Sequence, residues 1–81
     1  MADIPLMDRI VVSRDVGHGK PRIAGTRILV YQVLDLLAAG KTIEQVTSED
    51  YYPDLTAADV LACVAYASAV VRNEEIVATH M

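Results

Sequence analysis

The stretch from Gly17 to Ile28, GHGKPRIAGTRI, decides where extended chain gives way to helix. It brings three glycines, a proline and three basic residues together in a chain that is otherwise acidic. A phosphate-binding loop requires the pattern G-x-x-x-x-G-K-[ST] between a strand and a helix. Here Pro21 follows Lys20 in place of a hydroxyl-bearing residue, and the glycine spacing differs. The stretch is therefore interpreted as two glycine-permitted turns that flank a short extended piece.

The residues on the N-terminal side of this stretch predict a strand. Ile10, Val11 and Val12 form a β-branched run within residues 9–15. The residue before Pro21 is pushed away from helical angles, so residues 20–24 are also predicted to be extended. We therefore expect a small β-hairpin or ribbon over residues 9–29. Two short strands are barely stable alone, so the ribbon is expected to pack on helices or on a second subunit.

Helical patterns begin where the opening stretch ends. The apolar spacing of Val30, Val33, Leu34 and Leu37 predicts a first helix that runs to Ala39 and stops at the following glycine.

Two later helices have their own start signals. Thr42 and Gln45 form a capping-box pattern before a short helix over residues 43–49. Thr56, with Asp59 three residues on, predicts the start of a last helix over residues 57–72. The tail, residues 73–81, is expected either to fray or to add a strand to a partner.

These elements predict a single, mainly α domain over residues 1–81. Its parts are the ribbon (9–29), a three-helix bundle (30–72) and the tail (73–81). The second and third helices resemble a helix-turn-helix, but the N-terminal half of the last helix offers alanines, a leucine and an aspartate rather than base-reading side chains.

Composition excludes several classes of protein. The chain has 81 residues, of which 53% are hydrophobic and 22% charged, so a globular core is expected rather than disorder. The first residues form no signal-peptide pattern, and the longest apolar run is too short to cross a bilayer. We therefore expect a soluble, cytoplasmic protein with no membrane partner.

The sequence offers no convincing set of catalytic, metal-binding or cofactor-binding residues, and none is predicted. A zinc site would need to combine Cys63, His18 and His80, which the sequence does not bring together. Cys63 is interpreted as a buried, inert thiol within the last helix. Ser13, Asp15 and His18 are near each other in sequence, but nothing fixes the geometry that a nucleophile and base require. We expect the protein not to be an enzyme.

Charge is distributed unevenly along the chain. Residues 1–27 contain five basic and three acidic residues (+2), whereas residues 28–81 contain two basic and eight acidic ones (−6), which together give the net charge of −4. The basic part is the candidate contact for nucleic acid or a partner, through Arg14, His18, Lys20, Arg22 and Arg27. For Arg27 the preferred alternative is a bond to an acidic residue or to carbonyls within its own fold. Head-to-tail electrostatic pairing in a dimer explains the asymmetry equally well.

The last helix is apolar nearly all round, which predicts burial on two sides. Val60, Val64, Ala67 and Val71 form one face. In so short a chain, the other face predicts a homodimer or a protein partner. The candidate contacts on it and in the tail are Ala62, Tyr66, Ala69, Val70, Ile76 and Val77.

Several blocks occur together and in order: Gly19-Lys20-Pro21, Gly25-Thr26-Arg27, LLAAG and YPDLT. From about residue 9 to 67, and weakly to 77, the chain resembles the family designated domain of unknown function number four-three-three, DUF433. The resemblance implies a homeodomain-like helix-turn-helix fold with a small β-element in front. It also implies an antitoxin-like protein that pairs with a PIN-like nuclease toxin, and it assigns no catalytic residues.

Two functional hypotheses follow. The first is a non-enzymatic, dimeric, antitoxin-like interaction protein that binds a PIN-like nuclease toxin and regulates its own operon. The alternative is a DNA-binding transcriptional regulator that acts without a toxin, or a purely structural dimer module.

Overall fold

The computed structural model of the chain describes the backbone of residues 3–79 and the side-chain surroundings of residues 3–72. Within that part, three strands precede three helices. The strands are β1 (Ile4–Met7), β2 (Ile10–Val12) and β3 (Arg22–Ile23), and the helices are α1 (Val30–Ala38), α2 (Ile43–Val46) and α3 (Ala57–Thr79).

The strands form one antiparallel sheet in the order β1-β2-β3. The first strand was not predicted, because its four side chains are all exposed and show no inward-outward alternation. Pro5 lies in this strand, which is tolerated because β1 is at the edge of the sheet. A bulge follows Pro5, and Arg9 takes a left-handed conformation (φ 68°) in the turn to β2. The predicted ribbon is therefore one strand larger than expected.

The second half of the opening stretch folds as a tight hairpin-like loop. Arg22 pairs with Leu29, and the Ile23 amide donates to the Ile28 carbonyl at 3.0 Å. The Thr26 hydroxyl donates to the Ile23 carbonyl at 2.8 Å and accepts from the Ile28 amide at 3.0 Å. Gly25 has a φ of 79°, so the predicted glycine turn is confirmed.

Helix α1 agrees with its prediction. It covers residues 30–38, and Gly40 follows with a φ of 93°. Val30 and Val33 are buried, while Leu34 and Leu37 are half-buried against the core.

Helix α2 is a single turn and ends three residues before its predicted end. The predicted capping box is present: the Gln45 amide donates to the Thr42 hydroxyl at 3.1 Å, and the Thr42 amide donates to the Gln45 side chain at 2.8 Å. The next two side chains end the helix, because Thr47 donates to the Ile43 carbonyl at 3.0 Å and Ser48 to the Gln45 carbonyl at 2.6 Å. Hydroxyl groups that bond to nearby carbonyls compete with continued helix.

Helix α3 begins as predicted and runs further. The Asp59 amide donates to the Thr56 hydroxyl at 3.2 Å, and the Thr56 amide donates to the Asp59 carboxylate at 2.9 Å. The helix continues to Thr79, so the backbone of residues 73–79 is helical rather than a frayed tail or an added strand. Its 23 residues span about 34 Å at 1.5 Å per residue.

The predicted fold class was wrong. The structure is a three-stranded antiparallel sheet with three helices, a mixed architecture rather than a mainly α, homeodomain-like helix-turn-helix bundle. Ten residues, 47–56, separate α2 from α3, whereas a helix-turn-helix joins its helices through three or four. The prediction failed because an exposed edge strand carries no periodic signal, and because hydroxyl groups shorten α2.

The core forms where β2, β3 and the three helices meet. Its fully buried side chains are Ile10, Ile23, Val33, Val46, Val60 and Cys63. Burial, followed by the nearby charge of Asp59, raises the pKa of the Cys63 thiol to about 11. The predicted burial of Cys63 is therefore confirmed, and its inertness stays a prediction.

Candidate functional site

Arg22 lies inside the protein rather than on its surface. Its side chain is 7% exposed and donates to the Asp3 carboxylate at 2.6 Å, the Thr26 carbonyl at 3.0 Å and the Ser13 hydroxyl at 3.2 Å. These bonds tie the chain before β1, the end of β2 and the 22–29 loop together. Arg22 is thus removed from the candidate surface contacts, and its role is to hold this loop in place.

The remaining basic candidates are on the surface. Arg14, His18, Lys20 and Arg27 are all exposed. The expected internal partner for Arg27 is not found: among residues 3–72, Arg27 forms no ion pair, and the neighbouring Arg22 bonds to the loop carbonyl instead.

Lys20 lies at the edge of an apolar groove between α1 and α3. Its ammonium is 5.1 Å from the centre of the Tyr31 ring, a cation–π contact. The groove encloses about 470 Å³. Its lining is otherwise apolar or aromatic: Pro21, Val30, Leu34, Tyr66, Ala67, Val70 and Val71. We call it the α1–α3 groove.

The predicted partner-face residues fall in different places. Tyr66 and Val70 line the α1–α3 groove. Ala62 lines a second groove, and Ala69 is half-buried on α3. The last two candidates, Ile76 and Val77, lie in the helical backbone of α3 but beyond residue 72, outside the described side chains.

The second groove, of about 370 Å³, lies between the β1–β2 turn and the start of α3. Its lining residues are Met7, Asp8, Arg9, Ala58, Leu61, Ala62 and Ala65. We call it the turn–α3 groove.

One residue that lines the turn–α3 groove, Arg9, forms an ion pair with Asp59 of α3. Arg9 donates to the Asp59 carboxylate at 3.0 Å, and this carboxylate is 12% exposed. Burial raises the pKa of Asp59, but the hydrogen bonds from Thr56 and Arg9 outweigh it, so the net pKa is below its usual value. The pair fixes the β1–β2 turn against the helix.

Sequence reasoning missed Tyr31, Arg9 and Leu61. Tyr31 sits within the apolar pattern of α1, and nothing marks it as 48% exposed beside Lys20. Leu61 is 56% exposed on a helix that was predicted to be buried on two sides. Arg9 was missed because its contact with Asp59, fifty positions along the chain, depends on the β1–β2 turn.

The described residues contain two surface grooves. Among them, no three His, Cys, Asp or Glu side chains lie close enough to hold a metal ion. Among the described residues, no helix combines the length and the apolar character that a membrane crossing requires.

Comparison with known proteins identifies the family. No curated protein and no solved structure matches the chain. A family profile described as Protein of unknown function (DUF433) matches residues 10–67. The matched range includes the buried residues Ile10, Arg22 and Ile23. It also includes the glycines of both predicted turns, at positions 17, 19 and 25. Since these 58 residues are more than half of the 81, the chain belongs to the DUF433 family.

Proposed function

We propose that this protein is a non-enzymatic, antitoxin-like interaction protein that forms a dimer and binds a PIN-like nuclease toxin through the α1–α3 groove. A cytoplasmic location and regulation of its own operon belong to the same proposal. The observation that carries it is the groove, whose lining is apolar apart from the lysine at its edge.

The groove suits an apolar segment of a protein. Tyr31 and Tyr66 contribute aromatic surface, and aromatic residues are enriched where proteins bind one another. Tyr31 is 48% exposed, so much of its ring is free to contact a partner. A partner helix or strand that buries apolar side chains here would gain about 25 cal/mol for each Å² of apolar area.

Lys20 determines which charge the partner is expected to carry at one edge of the groove. It stands at one edge of the groove with its ammonium over Tyr31, and His18 and Arg27 are exposed in the same loop region. An acidic side chain on the toxin at this edge would pair with Lys20, whereas a basic one would be repelled. We therefore expect a toxin segment that is apolar along its length and carries a carboxylate at one end.

The remainder of the chain suits a basic nuclease. Residues 28–81 carry a net charge of −6, and an RNA-cleaving protein needs a positive surface for its substrate. Attraction between the two surfaces would accelerate association and fall with salt.

The test is co-purification with the product of the adjacent gene, which the proposal expects to be the PIN-like nuclease, and rescue of growth when that product is expressed. Tyr31→Ala and Lys20→Glu are expected to reduce both co-purification and protection from the toxin. The chain supplies a matched control, because Lys41 also lies over a tyrosine, Tyr51, at 5.9 Å, away from both grooves. Tyr51→Ala and Lys41→Glu are expected to behave like the wild type.

Two results would overturn the proposal. One is the absence of any complex between the wild-type protein and that nuclease. The other is a complex that Tyr31→Ala and Tyr51→Ala weaken equally, which would place the contact outside the groove.

The alternative, a DNA-binding regulator that acts without a toxin, is favoured by the exposure of Arg14, Lys20 and Arg27. A gel shift on the protein's own promoter at several salt concentrations tests it. Loss of binding when these three residues become alanine supports this alternative. If neither DNA nor the nuclease binds, the remaining hypothesis is a purely structural dimer module.

A further inference from the structure

We propose that two copies of this chain associate through the outer face of α3, with their helices antiparallel. This inference rests on the dimeric state in the proposed function and adds the surface and the orientation. The face is defined by Leu61, Val64, Ser68 and Val71, of which Val71 also lines the α1–α3 groove, and we call it the α3 seam.

The seam is a row of exposed apolar residues that borders the buried side of α3. Leu61, Val64 and Val71 are 56%, 43% and 50% exposed, whereas their helix neighbours Val60 and Cys63 are fully buried. Exposed apolar side chains that are contiguous on one face mark an interaction surface rather than ordinary surface composition.

The spacing of the seam favours a second helix of the same kind. Its four residues are separated by three, four and three positions, which is the a/d pattern of a coiled coil. In an antiparallel pair, Leu61 faces Val71 of the other copy and Val64 faces Ser68, so the seam matches itself about a two-fold axis. Self-complementarity of this kind is what an isologous dimer requires.

Charge supports the second copy as the occupant. Each chain carries −4, so most pairings of two copies would be repulsive. Between residues 57 and 71 the only charged residue is Asp59, which is buried and bonded to Arg9. The seam therefore lets two acidic chains meet through a surface that has no exposed charge.

One exposed charge of each sign flanks the seam. At the Leu61 end, the turn–α3 groove presents Asp8, whose carboxylate is 96% exposed. At the other end, Arg72 follows Val71 directly and is exposed, and Glu74 and Glu75 follow it in the sequence, beyond the described side chains.

The antiparallel arrangement brings these ends together. It places Arg72 of each copy beside Leu61 and Asp8 of the other, twice in the dimer. A parallel arrangement would set like ends together instead. In the antiparallel dimer, the turn–α3 groove, a space of about 370 Å³, receives the helix surface around Val71 of the second copy.

The experiment is sedimentation equilibrium of the full chain over a range of concentrations, with circular dichroism to confirm folding. Wild type is expected to show twice the chain mass. Leu61→Glu and Val64→Glu, both at exposed positions, are expected to raise the dimer dissociation constant at least about tenfold. Tyr31→Ala, in the α1–α3 groove, is the matched control and is expected to leave the dimer intact.

A charge swap tests the orientation. Arg72→Glu is expected to weaken the dimer about threefold to tenfold at low salt, and the double variant Asp8→Lys, Arg72→Glu is expected to restore it. A wild-type monomer at all concentrations, or a dimer unaffected by Leu61→Glu, would overturn the proposed surface. Failure of the swap to restore the dimer would overturn the antiparallel orientation.

The two proposals fail separately. If the nuclease binds a monomeric chain and only Tyr31→Ala removes it, the α3 seam is wrong while the partner-binding groove stands. If the chain is dimeric through the seam but binds no nuclease, the proposed toxin partner is wrong while the seam stands.

Discussion

Replacement of Arg22 by alanine is expected to remove much of the stability of this small domain. The arginine is the shared donor for Thr26, Ser13 and Asp3, which belong to three separate segments. Without it, the buried Ser13 hydroxyl and the Thr26 carbonyl lose a donor, and each unsatisfied polar group costs about 1–3 kcal/mol. Asp3 adds little, about 1 kcal/mol at most, because its carboxylate is 42% exposed and water replaces the guanidinium.

The expected loss is therefore about 3 kcal/mol, a large part of the roughly 5–15 kcal/mol that stabilises a typical domain. Urea denaturation followed by circular dichroism measures it, at one fixed protein concentration because the proposed dimer would contribute to stability. Arg22→Lys is expected to lose less, since one ammonium group cannot reproduce the spread of a guanidinium. Arg27→Ala is the matched control in the same loop and is expected to change stability by less than about 0.5 kcal/mol.

Equal midpoints for Arg22→Ala and Arg27→Ala would refute this reasoning. Such a result would mean that Arg22 does not hold the 22–29 loop in place. The Gly19-Lys20-Pro21 block and the arginine after it would then need a functional explanation instead of a structural one.

Three further outcomes are expected. Gly17→Ala and Gly19→Ala should each cost about 1–2 kcal/mol, because both glycines have left-handed φ values, 64° and 80°. The added Cβ at Gly17 also meets the end of the flexible Leu29 side chain, which shifts at little cost; a wild-type urea midpoint for either variant would contradict this. Cys63, buried and with its pKa raised to about 11, should react with iodoacetamide at pH 8 only as urea unfolds the chain, and rapid labelling of the native protein would show that the site is open. Asp59 has a lowered pKa in the folded chain, so its contribution to the free energy of unfolding is present above the unfolded pKa of about 3.9 and is lost as the pH falls below it. Asp59→Asn should therefore be less stable than wild type at neutral pH and lose less further stability in acid. An acid transition unchanged by the substitution would argue against the Arg9–Asp59 pair.

The helices were predictable because their signals are local. The apolar spacing of α1 and the capping boxes at Thr42 and Thr56 each involve residues three or four positions apart. Such contacts are satisfied within one turn, so the sequence specifies them directly. The start of every helix was predicted correctly for this reason.

The errors arose where distant segments decide the structure. Strand β1 is exposed and pairs only along its edge, so it left no alternating pattern. Arg22 and Arg27 have the same chemistry and stand five residues apart, and only the folded loop determines which one is buried. The α1–α3 groove likewise depends on Lys20 and Tyr31 meeting a helix that begins more than twenty-five residues later.

The most direct test of the account is a nuclear magnetic resonance titration of the isotopically labelled chain with the product of the adjacent gene, the partner that the proposed function expects to be a PIN-like nuclease. We predict that the largest amide shifts and broadening occur around Lys20, Tyr31 and Tyr66, in the α1–α3 groove, while amides around Lys41 and Tyr51 stay unchanged. Perturbations confined to the Lys41 and Tyr51 region, or none at saturating nuclease, would contradict the central claim that this groove binds the partner.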